Sequence, residues 1–193
     1  MRPAELLERH PRAWQAATRH PFLDAIRAGT LPEAAFRAWL DQDHLFVSDL
    51  LVFQARLLSV APRGAQAVLA GGLVALEAEL GWFEANGANA AGRHPVTAAY
   101  RDHLLSLTQD FKDGLTALWT GERAYLEAWR SAAPGAEPYR EFVEHWTVPE
   151  FAAYVADLEG ALDSAGAEEA AFLRTCELER DFWGMAWSAS ATA

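Results

Sequence analysis

The stretch FRAWLDQDHLFVSDL, residues 36–50, sets Phe36, Trp39, Leu40, Phe46, Val47 and Leu50 on one helix face at i, i+3, i+4 spacing, and Asp43 stands in the middle of that face. An apolar stripe of this period belongs to a helix packed into a core, so its carboxylate points inward. The arrangement recurs twice, far away in the chain. Glu122 lies between Trp119 and Tyr125 with Trp129 a turn further on, and Glu179 lies among Phe172, Cys176, Phe182 and Trp183. An unpaired ion taken out of water costs several kcal/mol even after relaxation, so a fold that keeps three near its core must pair them, protonate them or use them. Taken singly, each carboxylate could reach solvent at the edge of its stripe or bond to a buried Tyr, Trp or Arg. Convergence of all three on one pocket would make an acid/base site.

Composition bounds what such a pocket can serve. The 193 residues suit one domain, which buries roughly 70% of its unfolded surface. Eight Trp, ten Phe and four Tyr supply flat apolar walls suited to a flat ring. The net charge of −11, with no local cluster of Lys or Arg, repels phosphate backbones and anionic lipid, which argues against a nucleic-acid or membrane partner. No apolar run approaches the roughly 18 residues needed to span a bilayer, and the opening MRPAELLERHPRAW has no apolar signal region, so a cytoplasmic location is expected. The single Cys176 allows no intrachain disulfide and no multi-thiolate metal site. It reads as a small buried apolar residue.

Periodicity predicts helices over about 4–18, 31–59, 64–86, 95–109, 111–131, 137–145, 148–164 and 167–187. Thr30-Leu31-Pro32-Glu33 and Thr147-Val148-Pro149-Glu150 each read as a capping box, with the threonine capping and the glutamate closing. Asn86 to Gly92 and Ser131 to Gly135 are loops. No segment alternates at period two, so a sheet is not expected. The chain reads as a single all-α domain over 1–193, a compact bundle of seven to eight helices, with the Ser/Ala-rich 188–193 expected to fray. Gly71-Gly72, inside a helical pattern, reads as a place where helices pack closely. Near predicted helix ends, His94, His103 and His145 read as surface or capping residues.

Four segments in this order, WLDQDHLFVSDLLVFQARLLSVAP (39–62), GGLVALEAELGWFE (71–84), ALWTGERAYLEAW (117–129) and ELERDFWGMAW (177–187), resemble the TenA, or thiaminase II, family. The similarity runs from His20-Pro21-Phe22 to Trp187. The resemblance implies a haem-oxygenase-like all-α fold, a homo-oligomer (dimer or tetramer), no cofactor or metal, and a pocket for the 4-amino-2-methylpyrimidine half of thiamin. The main branch of that family carries a nucleophilic cysteine in the helix corresponding to 114–130. Here that segment has none, and Cys176 lies on the last helix. The pattern is similar to the branch in which glutamate replaces the thiol, which implies hydrolysis of aminopyrimidine breakdown products of thiamin rather than of thiamin itself.

Carried over residue by residue, the resemblance makes Asp43 the pyrimidine-binding carboxylate, Phe46 and Trp146 aromatic walls for the ring, and Tyr100 a hydrogen-bonding group near the reacting centre. It makes Glu122 and Glu179 the candidate catalytic acid/base pair, with Tyr125, one turn from Glu122, placed to orient it or to fill core. Either Glu77 or Glu79 lines the pocket. Three other readings of the same residues stand beside this one: a pyrimidine-binding regulator without turnover, a thiol enzyme using Cys176, and a haem or di-iron protein drawing on His10, His20 or Asp41-x-x-His44. Against the last, no Glu-x-x-His pair occurs.

Overall fold

A computed structural model describes residues 1–189 of the chain. Ten helices account for most of them, and no strand occurs among the described residues. In chain order these are α1 (Pro3–Arg9), α2 (Pro11–Thr18), α3 (Pro21–Ala28), α4 (Glu33–Val60), α5 (Arg63–Ala85), α6 (Pro95–Ser106), α7 (Phe111–Ala132), α8 (Arg140–His145), α9 (Pro149–Ala165) and α10 (Glu169–Ser188). The all-α expectation holds, with more helices than the seven or eight predicted. Of the segment expected to fray, Ser188 ends α10, and 190–193 lie outside the described residues.

Proline accounts for the extra helices. Pro11 and Pro21 each open a helix, and each pushes the preceding histidine out of helical geometry: His10 sits at φ −124°, ψ 49° and His20 at φ −153°, ψ 149°. The single helix expected over 4–18 is therefore two, and α3 follows as a third short helix. Its end explains why the first capping box does not form. Gly29 takes a left-handed φ of 71°, and the Thr30 N–H donates to the Ala25 carbonyl at 2.9 Å. Thr30 thus closes α3, and Pro32 becomes the residue before α4. The second box fails too, through the side chain. The Thr147 hydroxyl donates to the Val143 carbonyl at 2.7 Å, at the end of α8, and α9 starts at Pro149 without a side-chain cap. Side-chain caps come instead from Asp110, which accepts from the Lys112 and Asp113 N–H groups, and from the Nδ1 atoms of His20 and His94.

The 28-residue α4 spans about 42 Å and packs along α5. Around this pair, α10 packs on α7, α2 and α4, and α9 packs on α7 and α5. Trp39, Trp129 and Trp183 are fully buried, and Trp129 lies 4.9 Å from Trp146, centroid to centroid. No helix among the described residues is long and apolar enough to cross a membrane. The two glycines of α5 differ. A Cβ at Gly72 would collide with the Gln54 amide and the Tyr154 hydroxyl, whereas one at Gly71 would meet nothing within 4 Å. Only Gly72 therefore serves close packing, letting α9 and the buried Gln54 of α4 meet over α5, where Tyr154 donates to the Gln54 carbonyl oxygen at 3.2 Å.

Neighbouring substitutions should consequently move stability in opposite directions. In urea unfolding, Gly72→Ala is expected to lose about 1–3 kcal/mol by overpacking. Gly71→Ala is expected to gain about 0.5–1 kcal/mol, the ordinary helix preference for alanine.

Candidate active site

A cavity of about 290 Å³ opens among α4, α5, α6, α7, α9, α10 and the end of α8, near the lower end of the size range for small-molecule sites. All seven residues singled out from sequence line it: Asp43 and Phe46 from α4, Tyr100 from α6, Glu122 and Tyr125 from α7, Trp146 just after α8, and Glu179 from α10. Helical spacing brings them there. Asp43, Phe46, Val47 and Leu50 share one face of α4, and Glu122 and Tyr125 share one face of α7. A fourth inward carboxylate, Glu79, comes from α5, while Glu77 is exposed. No lysine or arginine is among the described residues that line the cavity.

Each carboxylate has a different set of partners. Asp43, 2% exposed, accepts a short hydrogen bond from the Tyr125 hydroxyl. Burial pushes its carboxyl up to about 7; the Tyr125 bond opposes that rise and the charge of Glu79 adds to it. Glu179, 5% exposed, accepts from the Tyr100 hydroxyl at 2.6 Å. It is pushed up to about 8 by burial, against the Tyr100 bond and with help from Asp43 and Glu122. Glu122 also reaches about 8, through burial first and then the charges of Glu79 and Asp43. Among the described residues no donor reaches Glu122. Tyr100 and Tyr125 are held well above the ordinary tyrosine range by burial and by these carboxylates, so both are neutral donors. The α7 backbone comes close here, since a Cβ at Gly121 would lie 3.0 Å from the Tyr100 hydroxyl and 3.6 Å from Glu179 Oε1.

Glu79 is held by two donors from one short helix and its end. Trp146 Nε1 donates to Oε1 at 2.5 Å, and His145 Nε2 lies 3.1 Å from Oε2. The His145 ring stacks on Trp82 at 4.0 Å and 10°. Glu79 and Trp82 are three residues apart on α5, so one helix face offers both the carboxylate and the stacking partner. His145 is thus a cavity residue and not the surface or capping residue expected. Of the two roles open to Tyr125, orienting Glu122 is not the one seen, because its hydroxyl goes to Asp43. Phe46 forms a wall with Tyr100, their centroids 4.6 Å apart. Phe151 and Tyr154 of α9 line the cavity without having been picked out from sequence.

The competing chemistries find poorer geometry. Cys176 is 1% exposed and does not line the cavity, and burial with the charges of Glu179 and Glu177 pushes its thiol well above the ordinary range, so it is not an activated nucleophile. Asp41 accepts from the Asn89 N–H at 2.8 Å, and His44 lies 3.7 Å from Glu84. His10 bonds Glu169 and His20 caps α3. Among the described residues no cluster of three or more His, Cys, Asp or Glu is arranged to hold a metal ion. A haem would also need cations for its propionates, and no lysine or arginine is among the described residues that line the cavity.

The sequence model of the TENA/THI-4/PQQC family matches residues 7–189. The chain is 30% identical to the Glycine max "Probable bifunctional TENA-E protein", over 93% of this chain and 90% of that one. It is 31% identical to the Corynebacterium glutamicum "Thiamine biosynthesis multifunctional protein ThiED", over 86% of this chain but 24% of that longer protein. The solved structure of a TenA homologue from Pyrococcus furiosus superposes with a TM-score of 0.90 at 29% identity, covering 97% of this chain and 100% of the other. The architecture is the haem-oxygenase-like all-α fold expected.

Three carboxyls with raised proton affinity make stability depend on pH. A group whose proton affinity is raised on folding contributes most at low pH and loses that contribution as pH rises through its folded value. For Glu122 the window runs from about 4.5 to about 8. Glu122→Gln is therefore expected to be more stable than the parent at pH 8.5, by on the order of a few kcal/mol, and so to unfold at higher temperature, and the margin should shrink toward pH 5. Thermal unfolding of both proteins across this range checks it.

Proposed function

The chain belongs to the TENA/THI-4/PQQC family, and with that as premise we propose that it hydrolyses aminopyrimidine breakdown products of thiamin, releasing 4-amino-5-hydroxymethyl-2-methylpyrimidine. The observation that carries this reading is a cavity with four inward carboxylates and a fifth, Glu150, exposed at its rim, no lysine or arginine among its described lining residues, and two glutamates pushed up to about 8. A protonated aminopyrimidine suits such a cavity, and a phosphorylated one does not.

In this reading the flat ring lies between Phe46 and Trp146. Asp43 accepts from the exocyclic amine and shares a proton with a ring nitrogen, while Tyr125 holds the carboxyl in place. Protonating the ring makes it a better electron sink for the reacting methylene. The aminomethyl nitrogen cannot leave as an amide anion, so it departs protonated, as ammonia. Water supplies the oxygen: one C–N bond breaks, one C–O bond forms, and the proton lost by water goes to a carboxylate. Glu122, without a donor to hold its anion, is the acid that guards the leaving nitrogen. Glu179, fixed by Tyr100, takes the proton from water. The ammonium charge of an arriving substrate lowers the proton affinity of Glu179, which lets it act as the base near neutral pH, while Glu122, facing Glu79, keeps its proton.

Chromatographic assay of hydroxymethylpyrimidine and ammonia from 4-amino-5-aminomethyl-2-methylpyrimidine tests the proposal. The parent is expected to turn over, and Glu122→Gln and Glu179→Gln are each expected to lose about 10²–10⁴-fold in kcat. Near-parental turnover in both variants would exclude the pairing. Saturable binding by a parent that never turns over would favour the regulator.

A further inference from the structure

Of the four inward carboxylates, Glu79 alone receives two donors from outside its own helix, and Glu122 alone receives none among the described residues. Hydrogen bonds to a carboxylate favour its ionised form. Glu79 therefore carries the fixed negative charge of the cavity, and Glu122 faces that charge across the same space. Two carboxylates in one apolar enclosure do not both ionise cheaply. The one with donors keeps the charge and the one without keeps the proton. The geometry points to Glu79, clamped by His145 and Trp146, as a positioning residue that holds Glu122 in its acid form. The clamp is specific in shape. His145 is fixed face to face on Trp82 and edge-on to Trp146, so its Nε2 has one orientation toward Glu79.

The other titratable groups of the cavity leave this assignment in place. From α4, Asp43 is occupied by Tyr125 of α7; from α10, Glu179 is occupied by Tyr100 of α6. On α9, Glu150 is exposed at the rim, and Tyr154 donates to Gln54. The charge acting most strongly on Glu122 is that of Glu79, ahead of Asp43. The device lets one site keep an acid ready by devoting an additional, hydrogen-bonded glutamate to it.

This inference rests on the proposed hydrolase for its purpose but not for its test. Carboxyl NMR of protein labelled with carbon-13 glutamate reads the protonation of Glu122 directly, its resonance assigned by loss in Glu122→Gln. In Glu79→Gln the Glu122 midpoint is expected to fall by about one pH unit, a tenfold drop in proton affinity. His145→Leu should also lower it, and His145→Gln, which keeps an N–H near the place of Nε2, should restore it. In turnover the alkaline limb of kcat/KM should move to lower pH in Glu79→Gln. An unmoved Glu122 midpoint in folded Glu79→Gln overturns the inference whether or not the protein turns over. A shifted midpoint in a protein without turnover supports the coupling and removes the hydrolase. Should Glu79→Gln fail to fold, equal midpoints in the two His145 variants overturn it.

Discussion

Desolvation of carboxylates is the constraint on which this molecule depends. Asp43, Glu79, Glu122 and Glu179 reach one cavity from four helices, and among the described residues no lysine or arginine comes with them. A buried pair of opposite charges can be neutralised by contact. Four like groups cannot, so protons and hydrogen bonds must carry the load. The fold meets this with hydrogen-bond partners from other elements. Tyr125 serves Asp43, Tyr100 serves Glu179, and Trp146 with His145 serves Glu79. What remains is kept protonated by burial. The same arrangement that would be a liability in an ordinary core supplies acids and bases in their working states.

The architecture around the cavity follows from this need. Two tyrosines, a tryptophan and a histidine must be held at hydrogen-bond distance from side chains on other helices, which requires a rigid surround. Trp39, Trp129 and Trp183 stand behind the cavity wall: Trp129 lies under Trp146, and Trp183 stacks on Tyr125 at 6.0 Å and 15°. Rings locked by packing are the inexpensive way to fix a donor, because they have few torsions to order. At the opposite face, Gly72 lets Tyr154 approach α5, so that α9 can close the cavity.

The stripe-facing acids were legible because a charge on an apolar helical face breaks a strong local pattern. Asp43, Glu122 and Glu179 all break it, and all three meet in one place. Glu79 was harder. It sits on a half-buried, small-residue helix where Glu77 looks equally suitable, and only the position of His145 and Trp146 from a distant segment separates them. His145 itself was misread because proximity to a helix end is a local feature, and stacking on Trp82 is not. The helix starts went wrong for a related reason. Thr30 and Thr147 each have the right side chain to cap the helix ahead, but the chain behind uses them first. Proline spacing, by contrast, was present in the sequence and would have divided 4–18 correctly, since Pro11 cannot continue a helix begun at Pro3.

The central claim is that neutral carboxyls line the cavity and that a cationic aminopyrimidine ionises Glu179 on binding while Glu122 keeps its proton. Isothermal titration of the folded protein with 4-amino-5-aminomethyl-2-methylpyrimidine near pH 7, repeated in buffers of different ionisation enthalpy, measures the protons exchanged. The account predicts net release of protons to the buffer, reduced in Glu179→Gln. Binding whose heat is the same in every buffer would contradict it.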